Sequence, residues 1–147
     1  MTVPADTRHR QAPAMERSLG SAHRLLGLGT IGLFLVTGVL MRRQHLHLLP
    51  PDSWLRLLFR SRHVYLLFSG LVNLALGVRF ILPAAGRGSM VARVGSILAL
   101  ASPVLLAAAF FIEPMSSGQS GPVSALGVFA AFLGVLAYSL GTWRTVP

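Results

Sequence analysis

Apolar residues fall in four long blocks along the chain, at about 23–42, 63–82, 92–112 and 122–143. Arginine, proline, serine and glycine collect in the gaps between them. Each block is near the ~20 residues that cross roughly 30 Å of hydrocarbon as a helix. None alternates in the two-residue period of a membrane barrel strand. Backbone groups in lipid must find partners within their own segment, so the blocks predict helices. The expected fold class is all-α: a polytopic integral membrane protein built as a four-helix transmembrane bundle.

The gaps refine this picture. Residues 1–20 are polar and predict a flexible N-terminal tail, leaving 21–147 as a single four-span membrane domain. The first apolar block does not resemble a cleaved signal. It is longer than a signal core, Arg42 and Arg43 come directly after it, and no small-residue cleavage site is present beyond them. The first connection, 42–62, is the longest. Pro50-Pro51 breaks it, and Asp52 or Ser53 can cap a helix that starts beyond the prolines. There Trp54, Leu55, Leu57, Leu58 and Phe59 interleave with Arg56 and Arg60. That pattern fits a short interfacial helix anchored by Trp54. It fits equally an outward extension of the second span. The second and third connections, 83–92 and 114–122, are short, and no internal repeat is obvious.

Polar and small residues within the blocks recur at helical intervals. The first span carries His23, Thr30, Thr37 and Gln44 seven apart. The second has Tyr65, Ser69, Asn73 and Gly77 four apart, with Asn73 near mid-span and in need of a partner on another helix. The third has Ser96, Ala99 and Ser102-Pro103, where the proline predicts a bend. The fourth has a small-residue seam of Gly127, Ala130, Gly134, Ala137 and Gly141, with Tyr138 and Trp143 toward the interface. In lipid such faces bring helices together, because apolar burial no longer does.

Composition supports a membrane setting. Of 147 residues, 53% are hydrophobic and only 12% charged, against roughly 25% charged in ordinary soluble domains. The net charge of +9 comes from 13 basic residues, all arginine, against 4 acidic ones. The arginines border spans rather than clustering with aromatics, so the charge indicates anchoring to anionic headgroups and no nucleic-acid partner. With four spans, Arg8, Arg10, Arg17, Arg24, Arg79, Arg87, Arg93 and Arg144 share one side, and Arg42, Arg43, Arg56, Arg60 and Arg62 the other. That bias places both termini in the cytoplasm. Small size and compact loops suit a bacterial inner membrane. The absence of cysteine excludes disulfides and thiolate chemistry.

Few residues offer chemistry. Gly27-Leu28-Gly29-Thr30-Ile31-Gly32 spells a dinucleotide-binding pattern, but it lies inside a span without the strand or acidic residue that fingerprint needs. His45 and His47 form H-x-H, and His63 opens the second span on the same side; together they are the weak metal candidates. A haem held by two histidines needs matching depths, whereas His23 and His63 fall toward opposite faces. Glu113 ends the third span where Arg60, Arg62 and His63 begin the second, which suggests an ion pair. No nucleophile stands beside a base. The sequence therefore points to a non-catalytic, cofactor-free subunit, accessory or scaffold protein. Its expected partners are the bilayer and either other membrane subunits or a second copy. The alternatives are an oligomeric small-solute or ion transporter and a histidine-dependent metal or haem protein.

Overall fold

The computed structural model describes residues 5–43, 53–83, 86–115 and 121–143. Four helices occur in order: α1 Ala5–Arg43, α2 Trp54–Val78, α3 Arg87–Ile112 and α4 Pro122–Thr142. A short 3-10 turn, Glu113–Met115, continues α3. Among the described residues, three helical stretches are long and apolar enough to cross a membrane: Met15–Arg43, Arg87–Ile112 and Pro122–Thr142. The remaining helix, α2, has the length, at 25 residues, but carries Arg56, Arg60, Arg62, His63 and Asn73.

Two boundaries differ from the pattern in the sequence. α1 begins at Ala5, inside the stretch that composition marks as a polar tail. Two of its later residues in that stretch are held: Glu16 Oε1 accepts from the Leu82 amide at 3.3 Å, and Gly20 lies against the Phe80 ring. Of the two equal readings of Trp54 to Arg60, the structure shows the outward extension: these residues are the first turns of α2, one continuous helix capped by the Ser53 hydroxyl. A projecting helix end and a short interfacial helix share the same apolar and basic pattern, so only backbone continuity separates them. α2 also stops at Val78 rather than Leu82. Pro83 disfavours helix in the residue before it, and the Tyr138 hydroxyl takes both the amide (2.9 Å) and carbonyl (3.0 Å) of Ile81.

The helices pack as two antiparallel hairpins, α1 with α2 and α3 with α4, and each hairpin is zipped by glycines seven residues apart. A Cβ on Gly27 would meet the backbone nitrogen of Leu74 at 2.6 Å, and one on Gly70 the Gly27 carbonyl at 3.1 Å. One turn pair further on, a Cβ on Gly77 would meet the nitrogen of Arg24 at 2.7 Å. In the second hairpin, a Cβ on Gly95 would run into the nitrogen of Tyr138, and one on Gly134 would meet that of Ala99 at 2.6 Å. At Gly141 the obstruction is Ala92 nitrogen, also at 2.6 Å. Backbones therefore touch directly, the geometry that small residues permit in membrane bundles.

The fourth-helix seam is real but shifted. Its buried positions are Gly127, Ala131, Gly134, Tyr138 and Gly141, while Ala130 and Ala137 are only half-buried. Tyr138 takes a place expected for a small residue because its ring stacks on Phe80 and its hydroxyl reaches Ile81. A small apolar core of Leu66, Leu106 and Phe110 fills the space between the hairpins. Elsewhere the usual order is inverted. Buried positions include His23, Thr30, Thr37, Arg62, Ser69, Asn73, Ser96 and Glu113, while Leu25, Leu28, Phe68, Leu71, Ile97, Phe129, Phe132 and Leu140 are exposed.

Candidate functional site

The polar residues expected from sequence to seek partners lie along one seam through the bundle. At one end, α1 supplies His23, α2 supplies Asn73 and α3 supplies Ser96, all fully buried. The Asn73 amide nitrogen donates to the carbonyls of Ser69 and Ala99, both at 2.9 Å. Its oxygen therefore faces His23 Nδ1, 2.7 Å away, which must donate. His23 Nε2 is then left to accept from the Ser96 hydroxyl at 2.8 Å. Every hydrogen-bonding atom of the imidazole is used, and the network is complete with a neutral ring. Three helices are joined through one histidine and one asparagine.

Ten residues earlier on α2, about 15 Å along the helix axis at 1.5 Å per residue, His63 faces α1. Its Nδ1 lies 3.1 Å from the Thr37 hydroxyl, and its ring stacks on Phe34 with centroids 4.1 Å apart. Thr37 spends its hydroxyl proton on the carbonyls of Leu33 and Phe34 within its own helix, so His63 is the donor. Gly38 leaves space for the imidazole: a Cβ there would come within 3.3 Å of it. His63 is thus engaged with α1. His45 and His47 lie outside the described residues, and no group of three His, Cys, Asp or Glu suited to a metal ion occurs among those described. The separation of His23 from His63 exceeds what two axial ligands of one haem could bridge.

The far end of the seam is an ion pair. Arg62 Nε donates to Glu113 Oε2 at 2.7 Å, and both side chains are 4% exposed. Arg60, the other basic candidate, is exposed. Glu113 does more than neutralise Arg62. Its Oε1 accepts from the amides of Val123 at 2.7 Å and Ser124 at 3.0 Å, and the Ser124 hydroxyl donates to Oε2. α4 has only Gly121 at its N-cap position and no side-chain cap of its own. The carboxylate supplies that cap from the end of α3, and the dipole at the start of α4 favours its negative charge. Burial raises the Glu113 pKa, but the Ser124 hydroxyl and amide and the Arg62 guanidinium outweigh it and hold the carboxyl below its ordinary value.

Sequence reasoning identified Asn73, Glu113 and Arg62 as polar groups needing partners, but it missed His23 and Ser96 as the groups that complete the Asn73 network. His23 lies 50 positions from Asn73, and Ser96 lies 73 positions from His23. Ser124 gave no local signal beyond its place just after Pro122, which opens α4. A usable signal was glycine spacing, which recurs at seven in each helix: 20 and 27, 70 and 77, 88 and 95, then 127, 134 and 141. No protein family, characterised protein or solved structure matches the chain.

Proposed function

We propose that the chain is a four-span inner-membrane protein with both termini cytoplasmic, and that it acts as a non-catalytic subunit or accessory protein. The distribution of polarity on α2 supports the fourth span. Its buried positions are Arg62, Leu66, Ser69, Gly70, Asn73 and Gly77, whereas Val64, Phe68, Leu71 and Val78 are exposed. The residues that lower its apolarity face the bundle, and the surface it would offer lipid is apolar, as expected for polar residues in spans. The observation that carries the non-catalytic reading is the use made of His23, Asn73 and Glu113. Each is committed to bonds between helices, so the groups most able to do chemistry are spent on assembly.

Topology can be tested directly, since the chain has no native cysteine to interfere. Single cysteines at Ser18, Arg87 and Trp143 should label from one side, and those at Arg60 and Ser120 from the other. Labelling of Trp143→Cys from the side opposite Ser18→Cys would mean that α2 does not cross. For the role, gentle extraction and mass spectrometry should recover a stoichiometric membrane partner or a second copy. Solute- or proton-dependent flux in reconstituted vesicles, abolished by Asn73→Leu, would replace this reading with transport.

A further inference from the structure

A cavity of about 280 Å³ lies in the groove between the early part of α1 and the end of α2. Glycines make room for it. Gly77 has no Cβ, so the stem of Arg24 lies across α2 there; a Cβ would meet Arg24 Cγ at 2.7 Å. Gly20 leaves space for Phe80, which a Cβ would meet at 3.1 Å. Glu16, Gly20 and Arg24 are four residues apart and share one face of α1. Arg24 Nε donates to the Gly20 carbonyl at 3.4 Å, which turns the guanidinium back toward Glu16. Glu16 and Arg24 both line the cavity, yet they form no ion pair with each other. Among the described residues, the Nε bond is all that Arg24 makes. Glu16 gives Oε1 to the Leu82 amide and leaves Oε2 without a partner. Opposite charges held apart on the walls of one cavity suit a ligand that carries both.

The depth of the cavity fits the membrane surface. The apolar part of α1, Met15–Arg43, has 29 residues. At 1.5 Å per residue that is about 44 Å, against roughly 30 Å of hydrocarbon. Its ends therefore project into the headgroup layer, and Arg24 is the last charge before the apolar run that starts at Leu25. Val78 and Phe80 give the cavity its apolar wall. Val78 and Leu25 are both exposed at this rim, so an acyl chain can leave along them toward the bilayer.

We infer that this cavity binds the headgroup of an aminophospholipid, with the phosphate at Arg24 and the ammonium at Glu16. The ligand class is a phosphate diester joined through two methylenes to a primary ammonium and carried on apolar chains. A guanidinium grips phosphate oxygens through paired N–H groups, and a carboxylate accepts from an ammonium. Glu16 and Arg24 are eight residues apart, about 12 Å along the axis, and folding the guanidinium back by about one turn leaves roughly 6 Å between the charges for the headgroup to bridge. A choline headgroup offers Glu16 no N–H, and a glycerol headgroup offers it no cation. The site presupposes the membrane placement proposed above. Cysteine labelling tests that placement separately, so failure of lipid binding leaves the topology standing.

The test uses the full chain in dodecylmaltoside, with phosphatidylethanolamine, phosphatidylcholine, phosphatidylglycerol or free phosphoethanolamine added in turn at equal concentration. Native mass spectrometry reads retained lipid, and thermal unfolding reads stabilisation. One phosphatidylethanolamine per chain should be retained, at least fivefold more than phosphatidylcholine, with a raised Tm. Two variants assign the walls. Glu16→Gln keeps an oxygen for the Leu82 amide and removes the charge. It should keep the lipid-free Tm and bring phosphatidylethanolamine down to the level of phosphatidylcholine, without lowering phosphatidylglycerol. Arg24→Gln, at an exposed position, should lower both phosphatidylethanolamine and phosphatidylglycerol at least fivefold. No preference for phosphatidylethanolamine over phosphatidylcholine, a preference that survives Glu16→Gln, or retention that survives Arg24→Gln would overturn the inference. Stabilisation by free phosphoethanolamine, matching that by phosphatidylethanolamine, would overturn the lipid assignment in favour of a soluble ligand.

Discussion

Replacing Gly134 by alanine tests whether direct backbone contact holds the second hairpin together. The new Cβ would lie 2.6 Å from Ala99 nitrogen and 2.8 Å from the Gly95 carbonyl oxygen. Both obstacles are backbone atoms of α3, so no side chain can rotate away and the helices must separate. Overpacking of this kind destabilises by about 1–3 kcal/mol, and separation also loosens contacts at neighbouring turns. Against it stands the intrinsic gain of alanine over glycine in a helix, up to about 1 kcal/mol. The net expectation is a loss of up to about 2 kcal/mol, and a deficit of about 1–3 kcal/mol relative to an unobstructed glycine-to-alanine change, from the difference between those ranges. Gly29 and Gly32 provide the control, because a Cβ at either meets nothing within 4 Å. Gly29→Ala should be neutral or stabilising. Gly95 and Gly134 block each other's Cβ, so the double alanine variant should fall short of the sum of its singles: one separation relieves both clashes. Equilibrium unfolding in mixed dodecylmaltoside and dodecyl sulfate micelles, monitored by circular dichroism, measures all four variants. Gly134→Ala as stable as Gly29→Ala would refute the contact, and full additivity would refute the shared separation.

The polar seam gives two further expected outcomes. Asn73→Leu strands the His23 Nδ1 proton and should cost about 1–3 kcal/mol, the penalty of an unsatisfied buried group. The His23→Phe, Asn73→Leu pair should cost less than Asn73→Leu alone in the same unfolding assay, and a larger loss would show that the imidazole is not stranded by the single change. Glu113→Gln should lower stability through the broken pair and the weakened α4 cap. The folded Glu113 pKa lies below its unfolded value, so its contribution is fully present above the ordinary carboxylate range and is lost as pH falls through the lowered value. Unfolding across that acid window should be steeper in pH for the unmodified chain than for Glu113→Gln; parallel curves would mean that Glu113 is not held ionised.

Much of this architecture could be read from residue order, though unevenly. The first, third and fourth helices are dictated by long apolar runs, whose length leaves little choice in lipid. The continuity of α2 could not be read, because Trp54, Leu57, Arg56 and Arg60 suit a projecting helix end as well as a separate one. The phase of the α4 seam was displaced by one residue at two positions. Small-residue spacing alone does not reveal that Tyr138 belongs in the seam; that depends on Phe80 and Ile81, more than fifty residues away. The need of Asn73 for a partner was evident from its position in an apolar run. Its choice of His23 was not, since a long-range hydrogen bond leaves no periodic trace.

Glycine contacts hold each hairpin, and polar contacts add to them there and also join one hairpin to the other. Glycine contacts act within hairpins, and they do so in equivalent registers. Gly27 opposes Leu74 nitrogen as Gly95 opposes Tyr138 nitrogen, and Gly77 opposes Arg24 as Gly141 opposes Ala92. Because these contacts are made by backbone atoms, residues as different as Arg24 and Ala92 occupy equivalent places, and the repeat is hidden from residue-by-residue likeness. The bonds from His23 to Ser96, Asn73 to Ala99, Arg62 to Glu113 and Tyr138 to Ile81 all join one hairpin to the other. In a medium as apolar as the helix surfaces, packing between hairpins has little hydrophobic drive of its own. Directional polar bonds fix both the partner and the register there, whereas within a hairpin bonds such as His23 to Asn73 and Thr37 to His63 add to the backbone contacts made at glycine. Among the described residues, the buried histidine, asparagine and arginine thus supply bonds between the hairpins, where the helical glycines make no such backbone contact.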